Sequence, residues 1–253
     1  MVRGMYISAT GMQLQRRNME VVTNNMVNAE TTGFKKDFVA SRAFDDVLIE
    51  RLYDNDPAII NTSRYVGPLS FGTRVDQLYI DFSSGNFEST EVPTDLAIAG
   101  EGFFAVSTPA GERFTRNSSY TVNAIGYLTD GDGNYLLGQN GRIYTGVNNF
   151  AVDSVGNVTV DGQYVDRIRV VSFNDYQGLR KQGDNLYYHM GEAPIEAAGY
   201  EIKQGFLEGS NVDIAREMVD MITIYRTYET NQRMLTMIDE TVGKAVNEIG
   251  RLG

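Results

Sequence analysis

The chain has no cysteine among its 253 residues and a single histidine, His189. A disulfide framework and thiol chemistry are excluded, and a conventional Cys/His metal site or Cys–His catalytic pair lacks its ligands. No run approaches 18 uninterrupted apolar residues, so no membrane-spanning helix is expected and no membrane insertion. The N-terminus carries Arg3 but no apolar segment of a secretory signal, because Gln13, Gln15, Arg16 and Arg17 interrupt it. Basic residues are in deficit, 22 Lys and Arg against 33 Asp and Glu. The resulting net charge of −11 argues against a nucleic acid or an anionic membrane as partner.

What is present begins with the C-terminal stretch. Ile214, Met221, Tyr228, Leu235, Val242 and Ile249 recur every seven residues. Met218, Tyr225 and Val246 form one flanking row, and Ile224, Ile238 and Ala245 another. Residues three, four and seven apart share a helical face, so these rows predict one broad apolar stripe. The helix is expected from Asn211 to Ile249, about 58 Å long, opened by a Ser210–Asp213 capping box. Such length points to a coiled coil or a shared bundle.

The N-terminal stretch is patterned the same way. Met5, Met12, Met19 and Met26 recur every seven residues, and Ile7, Leu14 and Val21 form a second row nearly opposite. A helix apolar on two sides needs two sets of neighbours. Nine of the ten methionines lie in residues 1–26 or 218–237, where their adaptable side chains suit irregular contacts. This helix should stop near Asn28–Gly33, since Asn24, Asn25, Asn28, Thr31 and Thr32 favour turns and Gly33 can take the left-handed conformation.

Residues 37–73 read as irregular, with a short helical piece around Ala43–Tyr53 and a linker over Asp54–Gly72. From Gly67 to Gly209, which holds 20 of the 26 glycines, short β-prone runs alternate with turn signals. Among them are Val75–Phe82, Leu96–Ala99, Phe103–Ser107 and Ile168–Phe173. Closely spaced short strands predict antiparallel hairpins in a sandwich or barrel-like unit. No internal repeat stands out. The expected fold is α+β: a terminal helical domain (1–30 with 211–253), a connecting arm (31–73) and a β-rich domain (74–210).

Three motifs are tested for chemistry. Gly100-Glu101-Gly102 with Ala105 fits a loose dinucleotide pattern, but a strand follows where a helix is needed, so a tight hairpin turn is expected. Asp130, Asp132 and Asn134 begin like a calcium loop, but Tyr135 and Gly141 stand where glycine and glutamate are required. Paired carboxylates could serve a glycosidase, yet with 33 acidic residues no pair can be singled out. No catalytic, cofactor or metal site is expected.

Three stretches carry a resemblance. Val22 to Lys36, with Asn24, Asn25 and Asn28 followed by Thr31-Thr32-Gly33-Phe34-Lys35, resembles the N-terminal signature of the bacterial flagellar rod and hook proteins. Thr94-Asp95-Leu96-Ala97-Ile98 and Gly100-Glu101-Gly102-Phe103-Phe104, continued by Phe114-Thr115-Arg116, are similar to that family's central signature. Glu208-Gly209-Ser210-Asn211-Val212-Asp213 and Tyr225 to Asn231 are similar to its C-terminal one. Length and pattern look most like the rod proteins.

The resemblance implies export through the flagellar type III apparatus without cleavage of a signal. It further implies helical self-assembly around a channel, and partners among copies of itself, other rod and hook proteins and the export apparatus. The terminal helices would pair to line an inner tube while the β domain forms an outer layer. The expected contacts fall on Met5, Met12, Met19, Met26, Ile214, Met218, Met221, Tyr225, Tyr228, Leu235, Val242 and Ile249. A rival reading from the residues alone is an extracellular β-rich binding module on a coiled-coil stalk.

Overall fold

The structure, a computed structural model, describes residues 2–51, 64–146, 149–183 and 185–250. Two helices flank a β-rich middle: α1 (Val2–Val27) and α2 (Ile214–Gly250). The chain divides into two compact units. The first comprises Met1–Asn24, Asp37–Tyr79 and Ala215–Gly253; the second comprises Asn25–Lys36 and Ile80–Ile214.

In the first unit the helices run antiparallel and approach closely at glycines. A methyl group added to Gly4 would stand 3.0 Å from Ile238 Cδ1, and one on Gly11 would stand 3.1 Å from Asn231 Nδ2. Helix α2 starts three residues later than the capping-box reading has it. Ser210 Oγ accepts the Val212 N–H at 3.3 Å inside the preceding turn, and Asp213 directly precedes the first helical residue.

The expected helical piece at Ala43–Tyr53 is a β-strand instead. Strand β1 (Asp37–Ala43) is followed by β2 (Val47–Arg51), β3 (Arg64–Leu69) and β4 (Thr73–Ile80). β2 pairs antiparallel with β3, with a bulge between Ile49 and Glu50, while β1 pairs with β4. The Leu48–Leu52 spacing looked helical, but Val47 and Ile49 are β-branched and find a partner strand in Arg64–Leu69, within the stretch read as linker. Leu52, Tyr53 and linker residues 54–63 lie outside the described residues. Rings meet at both ends of this arm: Phe38 stacks on Tyr79 at 5.5 Å, and Phe44 lies tilted against Tyr6 at 6.4 Å.

In the second unit, strands β5 (Phe87–Ser89), β6 (Leu96–Ala99), β7 (Phe103–Thr108) and β8 (Gly111–Thr115) open the β-rich region. β7 is the hub of a nine-stranded sheet. It pairs with β8, with Tyr135–Leu136 and with Val170–Ser172. Its first four residues, Phe103 to Val106, are completely buried, because both faces of the strand are covered. One face meets a cluster of Leu96, Ile98, Leu128, Leu136, Ile143 and Ile168; the other meets Phe114, Phe173, Leu179 and Tyr187.

The turn at Gly100–Gly102 is not a hairpin. β6 pairs with Glu201–Gln204 and β7 belongs to the large sheet, so the glycines carry the chain from one sheet to another. A side chain on Gly102 would strike Val170 Cγ1 at 2.7 Å, with φ at 135°. The structure also reveals a repeated turn that spacing alone did not. Asn123, Asp130 and Asp153 each accept backbone N–H groups two and four residues on, with a positive-φ glycine at the third following position. The Asp130 carboxylate, read as a failed calcium ligand, is thereby used within its own loop, where it also accepts from Asn134 Nδ2 at 2.9 Å.

Tyr120 is fully buried and its hydroxyl has no partner among the described residues. Burial, followed by the charge of Asp130, pushes its ionisation well above the usual 10.0. Tyr120→Phe should therefore stabilise the protein by about 1 kcal/mol, since an unsatisfied buried hydroxyl is removed. The unfolded chain ionises at its ordinary value while the folded chain does not, so the wild type loses stability as pH rises through 10. Urea titrations should show the gap between variant and wild type widening above that pH.

Candidate functional site

A buried ion cluster closes the second unit. After α1 ends at Val27, the chain turns through Asn28 to Gly33, with Thr31 N–H donating to Asn28 O at 3.2 Å. Gly33 adopts φ 68° and donates its N–H to Glu208 O at 2.7 Å. Lys35 Nζ then reaches Glu208 Oε1 at 2.6 Å and Ser83 O at 2.8 Å, with neither charged side chain exposed. Arg116 approaches the other carboxylate oxygen at 3.4 Å and donates to Ile98 O and Gly100 O at 3.2 and 2.7 Å. Its guanidinium lies over Phe103, 5.5 Å from the ring centre.

Polar bonds extend the closure around these charges. Asn211 accepts the Lys36 N–H and donates to Asp81 O, each at 2.8 Å. Thr32 Oγ1 donates to Asn117 Oδ1 at 2.9 Å, and Lys181 covers the Phe34 ring at 4.2 Å. Burial holds Lys35 below its ordinary 10.5, because the cost of desolvating the ammonium outweighs the attraction of Glu208. Two cations around one carboxylate make this a site of position rather than of catalysis.

Gly33 leaves no room for a side chain. A Cβ there would lie 2.2 Å from Arg116 O and 2.7 Å from Asn117 N, both backbone atoms, and the backbone is already left-handed. Gly33→Ala should therefore cost more than the ~1 kcal/mol of an ordinary αL substitution, roughly 2–4 kcal/mol, because backbone must move. A urea midpoint close to that of the wild type would contradict this.

Of the signature residues, Asn24 is exposed, Asn25 buried and Asn28 half-buried. Asp95 is buried, accepts Thr90 Oγ1 at 2.6 Å and takes Gly205 N–H on its carbonyl at 2.8 Å. Phe103 is buried beneath Arg116, Gly102 is buried against Val170, Gly100 is exposed, and Gly209 and Ser210 are half-buried. The structure thus gathers Thr32, Gly33, Phe34, Lys35, Gly100, Phe103 and Asn211 around one centre. Sequence reasoning named Lys35 but not Glu208 or Arg116 as its partners. With Lys35 and Glu208 separated by 173 positions in the chain, no local spacing could pair them.

Along the two terminal helices the heptad residues separate into two sets. Met221, Ile224, Tyr228, Asn231, Leu235, Ile238, Val242 and Ala245 are half-buried and form a continuous three–four alternation along α2. Ile214, Met218 and Tyr225 are exposed by 44, 51 and 54%. The Ile249 side chain lies outside the described residues. On α1, Met5, Met12, Met19 and Met26 are all half-buried, and Gly4 and Gly11 also lie close against α2. A search for large apolar side chains passes over such small residues.

His189 is held between neighbours as a packing group. It stacks on Phe173 at 5.0 Å, accepts the Glu192 N–H on Nδ1 at 2.9 Å and meets Asp175 O through Nε2 at 3.0 Å. Among the described residues, no group of three or more His, Asp or Glu is placed to hold a metal ion.

Comparison with known proteins explains why these segments meet. Residues 5–35 match the family described as "Flagella basal body rod protein", 97–166 the "Flagellar hook protein FlgE/F/G D1 domain", and 203–248 the "Flagellar basal body rod FlgEFG protein C-terminal". Over 272 aligned residues the chain is 32% identical to the flagellar hook-basal body complex protein FlhO of Bacillus subtilis, covering 100% of both. This chain belongs to the flagellar basal-body rod family. It is also 32% identical to the flagellar basal-body rod protein FlgG of Bacillus subtilis, covering 98% of this chain and 99% of the relative. FlgG of Borreliella burgdorferi is equally similar, with 98% of each chain covered. As in the rest of the rod family, the role is structural and not enzymatic. Lys35, Arg116 and Glu208 come one from each of the three matched stretches, so the ion cluster is where those stretches are joined.

Proposed function

We propose that this chain is a structural subunit of the flagellar basal-body rod, exported unfolded through the flagellar type III apparatus and polymerised helically into a hollow, torque-transmitting shaft. Residues 1–30 and 211–253 then form an antiparallel coiled-coil-like hairpin that packs against copies of itself as the inner tube. Residues 31–73 act as the connecting arm and 74–210 as the outer domain. Neighbouring rod and hook proteins continue the shaft at its ends.

The observation that carries this reading is the apolar surface left on α2 once its seam is half-buried. Met218, Val219, Ile222, Tyr225, Met234 and Met237 are each more than half exposed. A helix with that much unpartnered apolar surface is stable only when more surface covers it. Absence of cysteine suits passage and refolding of an unfolded chain.

Hydrogen exchange on the monomer and on sedimented assemblies tests the proposal. Residues 2–27 and 214–250 should exchange freely in the monomer and become protected on assembly. Full protection in a monomer that never assembles would overturn the reading.

A further inference from the structure

Within the first unit, an open apolar pocket of about 490 Å³ lies beside the start of α1, lined by Arg3, Tyr6, Phe44, Asp45, Val47 and Phe71. Tyr6 and Val47 are exposed by 55 and 48%, so none of the described residues fills it. Its volume admits one or two large side chains rather than a whole element. Elsewhere in the same unit, Met218, Ile222 and Tyr225 stand at i, i+4 and i+7 on α2, exposed by 51, 53 and 54%. That spacing is the anchor pattern of a helix seated in a groove.

We infer that the Met218–Ile222–Tyr225 ridge of one copy docks into the Arg3–Phe71 pocket of the next. The inference rests on the rod-subunit reading and specifies which surfaces of the subunit meet. Two features of the molecule select a second copy as the occupant.

The first is direction. Gly4 faces Ile238 and Gly11 faces Asn231, so Tyr6 lies level with residue 236 of α2. Ile222 is 14 residues away along that helix, about 21 Å. Pocket and ridge therefore sit at opposite ends of the helix pair. A contact between unlike patches at opposite ends is heterologous: each addition leaves one free pocket and one free ridge, and the chain of copies grows open wherever its rotation does not close a ring.

The second is charge. Arg3 and Asp45 put one cation and one anion on the pocket wall. Arg226, four residues past Ile222, and Glu229, seven past it, put one of each at the C-terminal end of the ridge. Opposite charges can pair in a single orientation, while the reversed one sets like against like.

Because the chain has no cysteine, the contact can be read by introduced thiols. Val47→Cys and Ile222→Cys are prepared singly, mixed, allowed to assemble and treated with a short bis-maleimide. Covalent dimers should form in the mixture and not with either variant alone, and the double variant should give a ladder of oligomers. Sedimenting assemblies without mixed cross-links overturn the contact, as does Ile222→Cys linking to itself. So does Val47→Cys linking only to a different rod protein when the two are co-assembled. If no sample sediments, including unsubstituted protein, the rod-subunit reading falls and takes the contact with it.

Discussion

Glu208→Ala should destabilise the protein by about 3–5 kcal/mol, the cost of removing one partner from a buried ion pair. Here the loss is compounded. Glu208 is the acceptor shared by Lys35 and Arg116, both buried, and it also accepts the Gly85 N–H at 3.3 Å. Without it, two cations remain close together in a medium that solvates neither well. Lys35→Met should behave differently. It removes the cation that burial already disfavours and leaves the Arg116–Glu208 pair intact, so its cost should be about 1 kcal/mol or less in either direction. Urea unfolding of both variants separates the cases. Equal destabilisation would mean that the cluster acts through packing and not charge.

Leu235→Asp should abolish assembly while leaving the β-rich unit folded. Leu235 lies in the half-buried row of α2, one heptad from Tyr228 and one from Val242. A carboxylate there must be desolvated without a partner whenever that face is covered, whether by α1 or by another copy. The measurement is sedimentation together with the near-ultraviolet signal of the aromatic cluster around Phe103, Phe173 and Tyr187. Intact filaments from this variant would sink the seam argument. Met218→Asp makes a useful partner experiment, because Met218 is exposed. It should leave the half-buried row of α2 unaltered and still weaken polymer growth.

Some of this architecture was legible in the sequence for definable physical reasons. Heptad rows reveal a helix because a helical face repeats, and Leu96–Ala99 reads as a strand because apolar residues run between turn signals. Gly33 could be recognised as a helix terminator, and it does adopt positive φ. What stayed hidden depends on contacts that no local window contains. Val47–Arg51 becomes a strand through its pairing with Arg64–Leu69. The helix approach at Gly4 and Gly11 is marked by missing side chains, which a count of apolar residues cannot register. Lys35 looked like the tail of a helix end until Glu208 arrived from the far side of the β region.

That last separation has a kinetic consequence. Bringing Lys35 to Glu208 closes a loop of 173 residues, an entropy cost of about 4–5 kcal/mol that nearby contacts must offset before the salt bridge can form. Closure is therefore expected late in folding, after the strands between have found one another. A chain interrupted before residue 208 would carry an assembled sheet around an uncompensated Arg116 and Lys35. Such a product is open to proteases where the finished chain is shut, so incomplete chains would be degraded in preference to complete ones.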